Sequence, residues 1–195
     1  MKYCSNCGAT LKQVIPPGDD RIRSVCDACH TVYYVNPKMV LGCIPEWENQ
    51  LLLCRRAIDP RLGLWTIPAG FLETGETLLE AAKREALEEA LAEVEIVTLY
   101  TLFDIPHISQ VYLIFRARLL RNHFGPGEES HEVKLFREED IPWNDLAFTS
   151  VRESLRLYFE DRRAGIFPLH MGRLPPPDKG HPPITDEFAQ VVSLR

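Results

Sequence analysis

The chain has 195 residues, room for one ordinary domain and a small appendage. Hydrophobic residues make up 45% and charged residues 26%, the balance of a globular protein and not of a disordered or fibrous one. A net charge of −6 and a pI near 5.5 argue against the basic footprint of a nucleic-acid binder.

The amino terminus, Met1-Lys2-Tyr3-Cys4, runs into a cysteine motif without an apolar signal region, and runs such as Val111–Phe115 are far too short to span a membrane. A cytoplasmic protein without a membrane partner is expected. Four of the six cysteines form two pairs, Cys4-x2-Cys7 and Cys26-x2-Cys29, separated by 18 residues. That spacing reads as a structural zinc ribbon, in which four thiolates replace a core too small to build from so short a segment. Disulfides are disfavoured by the expected compartment, and a redox site by the presence of two pairs without a βαβ pattern. Gly8 suits the tight turn of a knuckle, and Pro16–Asp20 reads as a turn between two short strands. The ribbon is placed at residues 1–36, ending at Asn36-Pro37.

The main domain is placed at residues 37–165. Met39–Ile44 and Gln50–Arg55 read as a hairpin turning at Glu46–Asn49, with Cys43 and Cys54 as inert core residues. Gly63–Pro68 reads as a short strand feeding a glycine loop. Thr77-Leu78-Leu79-Glu80 has the pattern of a capping box, which predicts a helix over Thr77–Ala90. Leu78, Ala82, Ala86 and Ala90 give that helix a narrow stripe suited to lying close on a sheet. Glu93–Phe103, Gln110–Leu119 and Val133–Phe136 read as strands, and Phe148–Arg162 as a second helix with Val151, Leu155, Leu157, Tyr158 and Phe159 on its apolar side. Strands alternating with helices predict a mixed α/β layered domain. The tail, 166–195, carries Pro168, Pro175–Pro177, Pro182 and Pro183. It is expected to form neither helix nor sheet ladder, and to be either a free end or a strap over the body or a partner.

The chemistry concentrates in Gly70–Ala92, reading GFLETGETLLEAAKREALEEALA. Residues three and four apart share a helix face, so Glu85, Glu88 and Glu89 crowd three carboxylates into one patch. Glu73–Glu95 holds eight glutamates against Lys83 and Arg84. An evenly spread set would be a solvated acidic face. These carboxylates instead follow the glycine-containing stretches Pro68-Ala69-Gly70 and Thr74-Gly75-Glu76, which favours a site for a hard divalent cation that then recruits phosphates.

The segment resembles the signature of the Nudix hydrolases, G-x5-E-x7-R-E-U-x-E-E-x-G-U with U aliphatic. Gly70, Glu76, Arg84, Glu85, Ala86, Glu88, Glu89 and Ala92 fall on its positions, and Leu91 departs from it where the family has a helix-ending glycine. The resemblance implies an α/β/α sandwich with a mixed sheet and a metal-dependent pyrophosphohydrolase. It implies that Glu85, Glu88, Glu89 and the Ala69 carbonyl hold Mg²⁺ or Mn²⁺, while Arg84 and Glu76 brace the loop. A general base in this family often comes from a later loop. Here Gly125–Glu132, read as flexible and acidic, offers Glu129 first and Glu132 second. Phe71, Phe103 and Tyr112 are candidates for stacking a substrate ring, beside the ordinary role of aromatics in a core.

The resemblance extends to Asn36–Val40, Gly63–Thr66, Asp104-Ile105-Pro106, Ile141-Pro142-Trp143 and Leu146-Ala147-Phe148, and points to zinc-ribbon Nudix enzymes that act on ADP-ribose and FAD, releasing AMP. Pro106 stands near, and slightly before, the proline such enzymes carry after the signature. The relatives that act on NADH or remove NAD caps from RNA have a longer Ser-Gln-Pro-Trp-Pro-Phe-Pro-type segment, whereas Ser109-Gln110 continues here into Val111-Tyr112. Those activities are the alternative within enzymes. A ribbon-bearing nucleic-acid regulator with an inactive Nudix domain is the alternative of another class, against which the intact Arg84-Glu85 and Glu88-Glu89 and the acidic charge speak. The family also implies a homodimer.

Overall fold

The protein, described here by a computed structural model, is seen over residues 1–176 and, as backbone, over 190–194. It divides into two units, Met1–Pro37 and Lys38–Arg195. In the first, β1 (Leu11–Val14), β2 (Arg23–Cys26) and β3 (Val32–Tyr33) form an antiparallel sheet in that order. Two knuckles with the same hydrogen-bond pattern flank it: Gly8 N–H donates to the Cys4 carbonyl at 2.9 Å, and His30 N–H to the Cys26 carbonyl at 3.0 Å. Both turn residues have left-handed backbone, φ 77° for Gly8 and 57° for His30, so a histidine stands in the second knuckle where glycine stands in the first.

Among the described residues the second unit is a nine-stranded mixed sheet with two helices. Strands β4 (Lys38–Trp47) and β5 (Gln50–Arg56) are joined by a two-residue turn at Glu48-Asn49, tighter than the four residues expected, because Trp47 and Gln50 already pair. The expected Gly63–Pro68 strand resolves into β6 (Trp65–Thr66) on β5 and β7 (Ala69–Phe71) on β4. Helix α1 spans Leu78–Ala90. Strands β8 (Val94–Ile105), β9 (Gln110–Leu119) and β10 (Ser130–Phe136) follow, then helix α2 (Thr149–Ala164), β11 (Leu169–Arg173) and β12 (Gln190–Leu194). The sheet runs β10-β5-β4-β9-β8-β11-β12, with β4·β9 and β8·β11 parallel.

Alternation along the strands separates two cores. Leu51 and Leu53 join Val151, Leu155 and Phe159 of α2, whereas Leu52 and Cys54 join Ala82, Ala86 and Ala90 of α1. Each helix thus covers one face of the sheet, the layered α/β/α arrangement. The alanines of α1 are fully buried, so its backbone approaches the sheet closely. Cys43 and Cys54 are buried in the same cluster, where desolvation raises both thiols' pKa.

The expectation for the tail fails. The proline-rich tail does enter the sheet: β11 lies parallel to β8, and β12 antiparallel to β11. Pro168 and Pro175 flank β11 without interrupting it, so no ladder donor is lost. Buried His170 of β11 places Nε2 2.6 Å from Asp161 Oδ2 of α2, which also accepts the Tyr100 hydroxyl at 2.7 Å. Pro177, Pro182 and Pro183 lie outside the described residues. Helix α1 ends at Ala90 as expected, and Leu91 itself takes the left-handed conformation, φ 49° and ψ 29°, with its N–H reaching the Ala86 and Leu87 carbonyls. Leucine performs the glycine's terminating turn at a conformational cost of about 1–2 kcal/mol. Among the described residues no helix is long and apolar enough to cross a membrane.

Candidate active site and ribbon metal site

Strand β7, the loop after it and α1 build the site. Thr77 caps α1: its hydroxyl accepts from Glu80 N–H at 3.3 Å, and the Glu80 carboxylate accepts from Thr77 N–H at 2.8 Å. This fixes the phase of the helix and hence the direction of Arg84, Glu85, Glu88 and Glu89. Arg84 ties the elements together. It pairs with both oxygens of Glu76, through Nε at 3.0 Å and Nη2 at 2.7 Å, and Nη2 also donates to the Phe71 carbonyl at 3.0 Å. Its Nη1 donates to Glu85 at 2.6 Å and to Glu88 at 3.0 Å. Glu85 lies so close to β7 that a Cβ on Gly70 would fall on its carboxylate, which explains glycine there without any turn requirement.

Hydrogen bonds from Arg84 hold the Glu76 carboxyl down at about 2 from its ordinary 4.5. A carboxyl lowered by folding contributes its stability above about 4.5 and loses it as the pH falls toward 2. Glu76→Gln should therefore flatten the acid limb of the melting-temperature profile in that window, and the two proteins should converge below it. Parallel acid limbs across pH 2–4.5 would contradict the pairing.

Glu89 is 6% exposed and its Oε2 accepts the Ala69 N–H at 3.1 Å. Burial pushes its carboxyl up to about 8, with the neighbouring Glu85 and Glu129 adding to the rise. Burial likewise raises Glu85, against the pull of Arg84. Two buried carboxyls that resist ionisation beside a third, Glu88, form a donor set suited to a hard cation, whose charge would hold them ionised. Among the described residues, the ribbon cysteines are the only group of three or more histidines, cysteines and carboxylates whose ligand atoms all lie within 4.8 Å of one another. In the glutamate set Arg84 draws Glu85 and Glu88 while Glu89 turns to Ala69.

Glu85, Glu88, Glu89 and Glu129 line one cavity of about 1040 Å³, shared with Arg56 and Phe71. Glu129 arrives there because its loop, read as flexible, is pinned to the end of α1. Gly125 and Gly127 N–H donate to the Ala90 and Glu89 carbonyls at 2.9 and 3.1 Å, satisfying acceptors that a helix end leaves open, and Ala57 N–H holds the Glu129 carbonyl at 2.8 Å. A Cβ on Gly127 would run into the Glu88 carbonyl oxygen. Gly127→Ala should lift this loop, lowering stability by about 1–3 kcal/mol and taking turnover down with it. Denaturant unfolding and steady-state rates check this, and an unperturbed enzyme would contradict the packing.

The other candidates are dispersed. Glu132 does not line the cavity; it faces Arg55 at 3.9 Å and pairs with Lys134. Phe103 is fully buried in the core under α2, because strand alternation turns it inward. Phe71 is exposed at the cavity, with Lys38 Nζ 4.7 Å from its ring centre. Tyr112 opens instead into a neighbouring cavity. Arg56 was not singled out in the sequence; as the last residue of β5 it looked like any strand end, and only the fold turns it toward the glutamates.

In the ribbon the four sulfurs converge without disulfides, with Cys4 and Cys29 Sγ 3.6 Å apart and Cys7 and Cys26 Sγ 3.4 Å apart. Four thiolates around zinc at about 2.3 Å would stand roughly 3.8 Å apart, so the set fits a tetrahedral zinc. The Tyr33 hydroxyl, 3.0 Å from Cys4 Sγ, lowers that thiol's pKa, and the Thr31 hydroxyl, 3.1 Å from Cys29 Sγ, helps bring Cys29 down to about 5. Both favour the thiolate that zinc requires.

Comparison with known proteins agrees with this geometry. The family model of the NUDIX domain matches residues 37–158, and that of the Nudix N-terminal zinc ribbon matches residues 2–35. The chain belongs to the Nudix hydrolase family. The crystal structure of a NUDIX hydrolase from Nitrosomonas europaea is similar at 54% identity and a TM-score of 0.87, covering 89% of this chain and 99% of that one. An ADP-ribose pyrophosphatase of Methanocaldococcus jannaschii is 28% identical over 121 residues, 59% of this chain and 69% of that protein. The NAD-capped RNA hydrolase NudC of Salmonella heidelberg is 28% identical over 147 residues, 72% of this chain, and the chain spans about half of its length, 53%.

Proposed function

We propose that this chain hydrolyses the pyrophosphate bond of nucleoside diphosphate derivatives, with ADP-ribose and FAD as the preferred class and AMP as a product. The observation that carries the reading is the convergence of Glu85, Glu88, Glu89 and Glu129 on one cavity beside β7. Similarity to a named ADP-ribose pyrophosphatase supports the substrate class. Glu85, Glu88, Glu89 and the Ala69 carbonyl would hold Mg²⁺ or Mn²⁺, which when bound neutralises diphosphate charge and makes a bound water more acidic. Arg84 and Glu76 keep loop and helix in register, so that the carboxylates stay aimed into the cavity. Glu129, exposed at the cavity and anchored through its backbone, is placed to accept a proton from the attacking water. Glu132 serves β10 through its basic neighbours instead. Phe71 offers a ring face at the entrance.

Hydrolysis of NADH or of NAD caps on RNA is the second reading, favoured by the similarity to NudC. It removes the force of the acidic-charge argument against nucleic acid, because a cap hydrolase needs to recognise only a terminal dinucleotide. A panel of ADP-ribose, FAD, NADH and NAD-capped RNA with Mg²⁺ or Mn²⁺, following AMP release and the 5′ end of the RNA, separates the two. ADP-ribose or FAD should lead in kcat/KM; RNA decapping in the lead would replace the first reading with the second. A cytoplasmic homodimer completes the proposal, and sedimentation at twice 22.3 kDa is the expected result.

A further inference from the structure

We infer that the cavity between Tyr112 and Phe148 seats the base ring of the substrate, a heterocycle of one or two rings, and that Arg56 joins this seat to the diphosphate. The inference rests on the pyrophosphatase reading for the identity of the ligand, but on separate residues for the seat. The cavity measures about 220 Å³ and is walled by Ile105, Tyr112, Phe148 and Leu174, with Arg61, His107, Thr149 and Ser150 as its polar members. It adjoins the carboxylate cavity, because Pro60 lines both. Apolar walls with a few polar groups are the make-up of a ring-binding pocket. An apolar cavity of about 150 Å³ accepts one benzene ring, so one of about 220 Å³ has room for a fused pair.

Arg56 stands at the junction. Its Nε donates to the Pro60 carbonyl at 2.8 Å, and its guanidinium carbon lies 5.3 Å from the Phe148 ring centre. It also lines the carboxylate cavity together with Glu85, Glu88 and Glu89. Its two terminal nitrogens make no hydrogen bond among the described residues, which leaves a planar pair of donors for phosphate oxygens. The Tyr112 hydroxyl likewise has no hydrogen-bond partner among the described residues. A substrate with its diphosphate over the glutamates would therefore pass Arg56 and end with its base against the two aromatic rings.

The test uses the full chain and two measurements. In the first, AMP binding is titrated by calorimetry with Mg²⁺ present, which needs no turnover. Phe148→Leu should weaken AMP about tenfold, as loss of one stacking ring does, whereas Phe148→Tyr, which keeps a ring, should not. Ile108→Trp, at a rim position 49% exposed, should obstruct the seat and weaken AMP similarly without disturbing the core. In the second, kcat/KM is compared for ADP-ribose and for the same diphosphate with an abasic ribose in place of adenosine. Both base-seat variants should lose about tenfold on ADP-ribose through KM and nothing on the abasic compound. Equal losses on both compounds, or AMP affinity untouched in Phe148→Leu and Ile108→Trp alike, would overturn the assignment. If no pyrophosphate is turned over but AMP binding still falls in these variants, the seat stands and the hydrolase reading falls.

Discussion

Glu89→Gln should lower turnover by two to three orders of magnitude while leaving the fold intact. The amide keeps the length of the side chain, and its oxygen can accept the Ala69 N–H that Oε2 accepts now. What it removes is a charge that this position resists: the carboxyl is pushed up to about 8 by burial, with Glu85 close by. Without a divalent cation the variant should melt no lower than the parent, since a neutral group is favoured there. With Mg²⁺ or Mn²⁺ the parent should gain melting temperature by binding and the variant should not. These two readouts separate a ligand from a structural residue. A structural glutamate would lower the melting temperature on substitution and leave the cation response in place. An unchanged rate would end the assignment of the carboxylate patch as a metal site.

The parts of this arrangement that were legible in the sequence are those decided by neighbours along the chain. Thr77 and Glu80 lie within one turn, so their capping box needs no tertiary information. The strand over Gln50–Arg55 shows in its local apolar run, whereas the alternation of Leu51 to Cys54 between two cores shows only in the fold. The CxxC pairs declare themselves because two knuckles need four thiols at fixed local spacing. The failures are tertiary. Nothing near Leu169–Arg173 announces a strand; it docks through pairing with β8 and through Asp161, which holds both Tyr100 and His170. Phe71 and Phe103 look alike in sequence, yet one is exposed at the cavity and the other fully buried. Gly127 read as a loop glycine, whereas its lack of a side chain lets the loop lie on the Glu88 backbone and so delivers Glu129. Arg56 became visible only when β5 was placed beside the glutamate helix.

Cys4→Ser should have its largest effect on the ribbon. The first unit is small, and its strands have four, four and two residues, so little apolar burial stabilises them. Structural zinc contributes on the order of 10–16 kcal/mol in isolated zinc-finger peptides, and that binding is the folding energy of such a unit. Serine removes one thiolate and with it one of the partners of the Tyr33 hydroxyl, which now lies 3.0 Å from Cys4 Sγ and also accepts the Ser5 N–H at 2.9 Å. The expected result is loss of bound zinc and collapse of the amide signals of residues 1–37. The sheet unit should keep its melting transition, because both of its core clusters are built from residues beyond 38. Chelation of the parent's zinc should reproduce the same pattern, and returning zinc should restore the ribbon signals in the parent alone. A serine variant that retained full zinc and an ordered ribbon would refute the four-thiolate site. One that retained zinc and order but lost turnover would instead make Cys4 a participant in the chemistry.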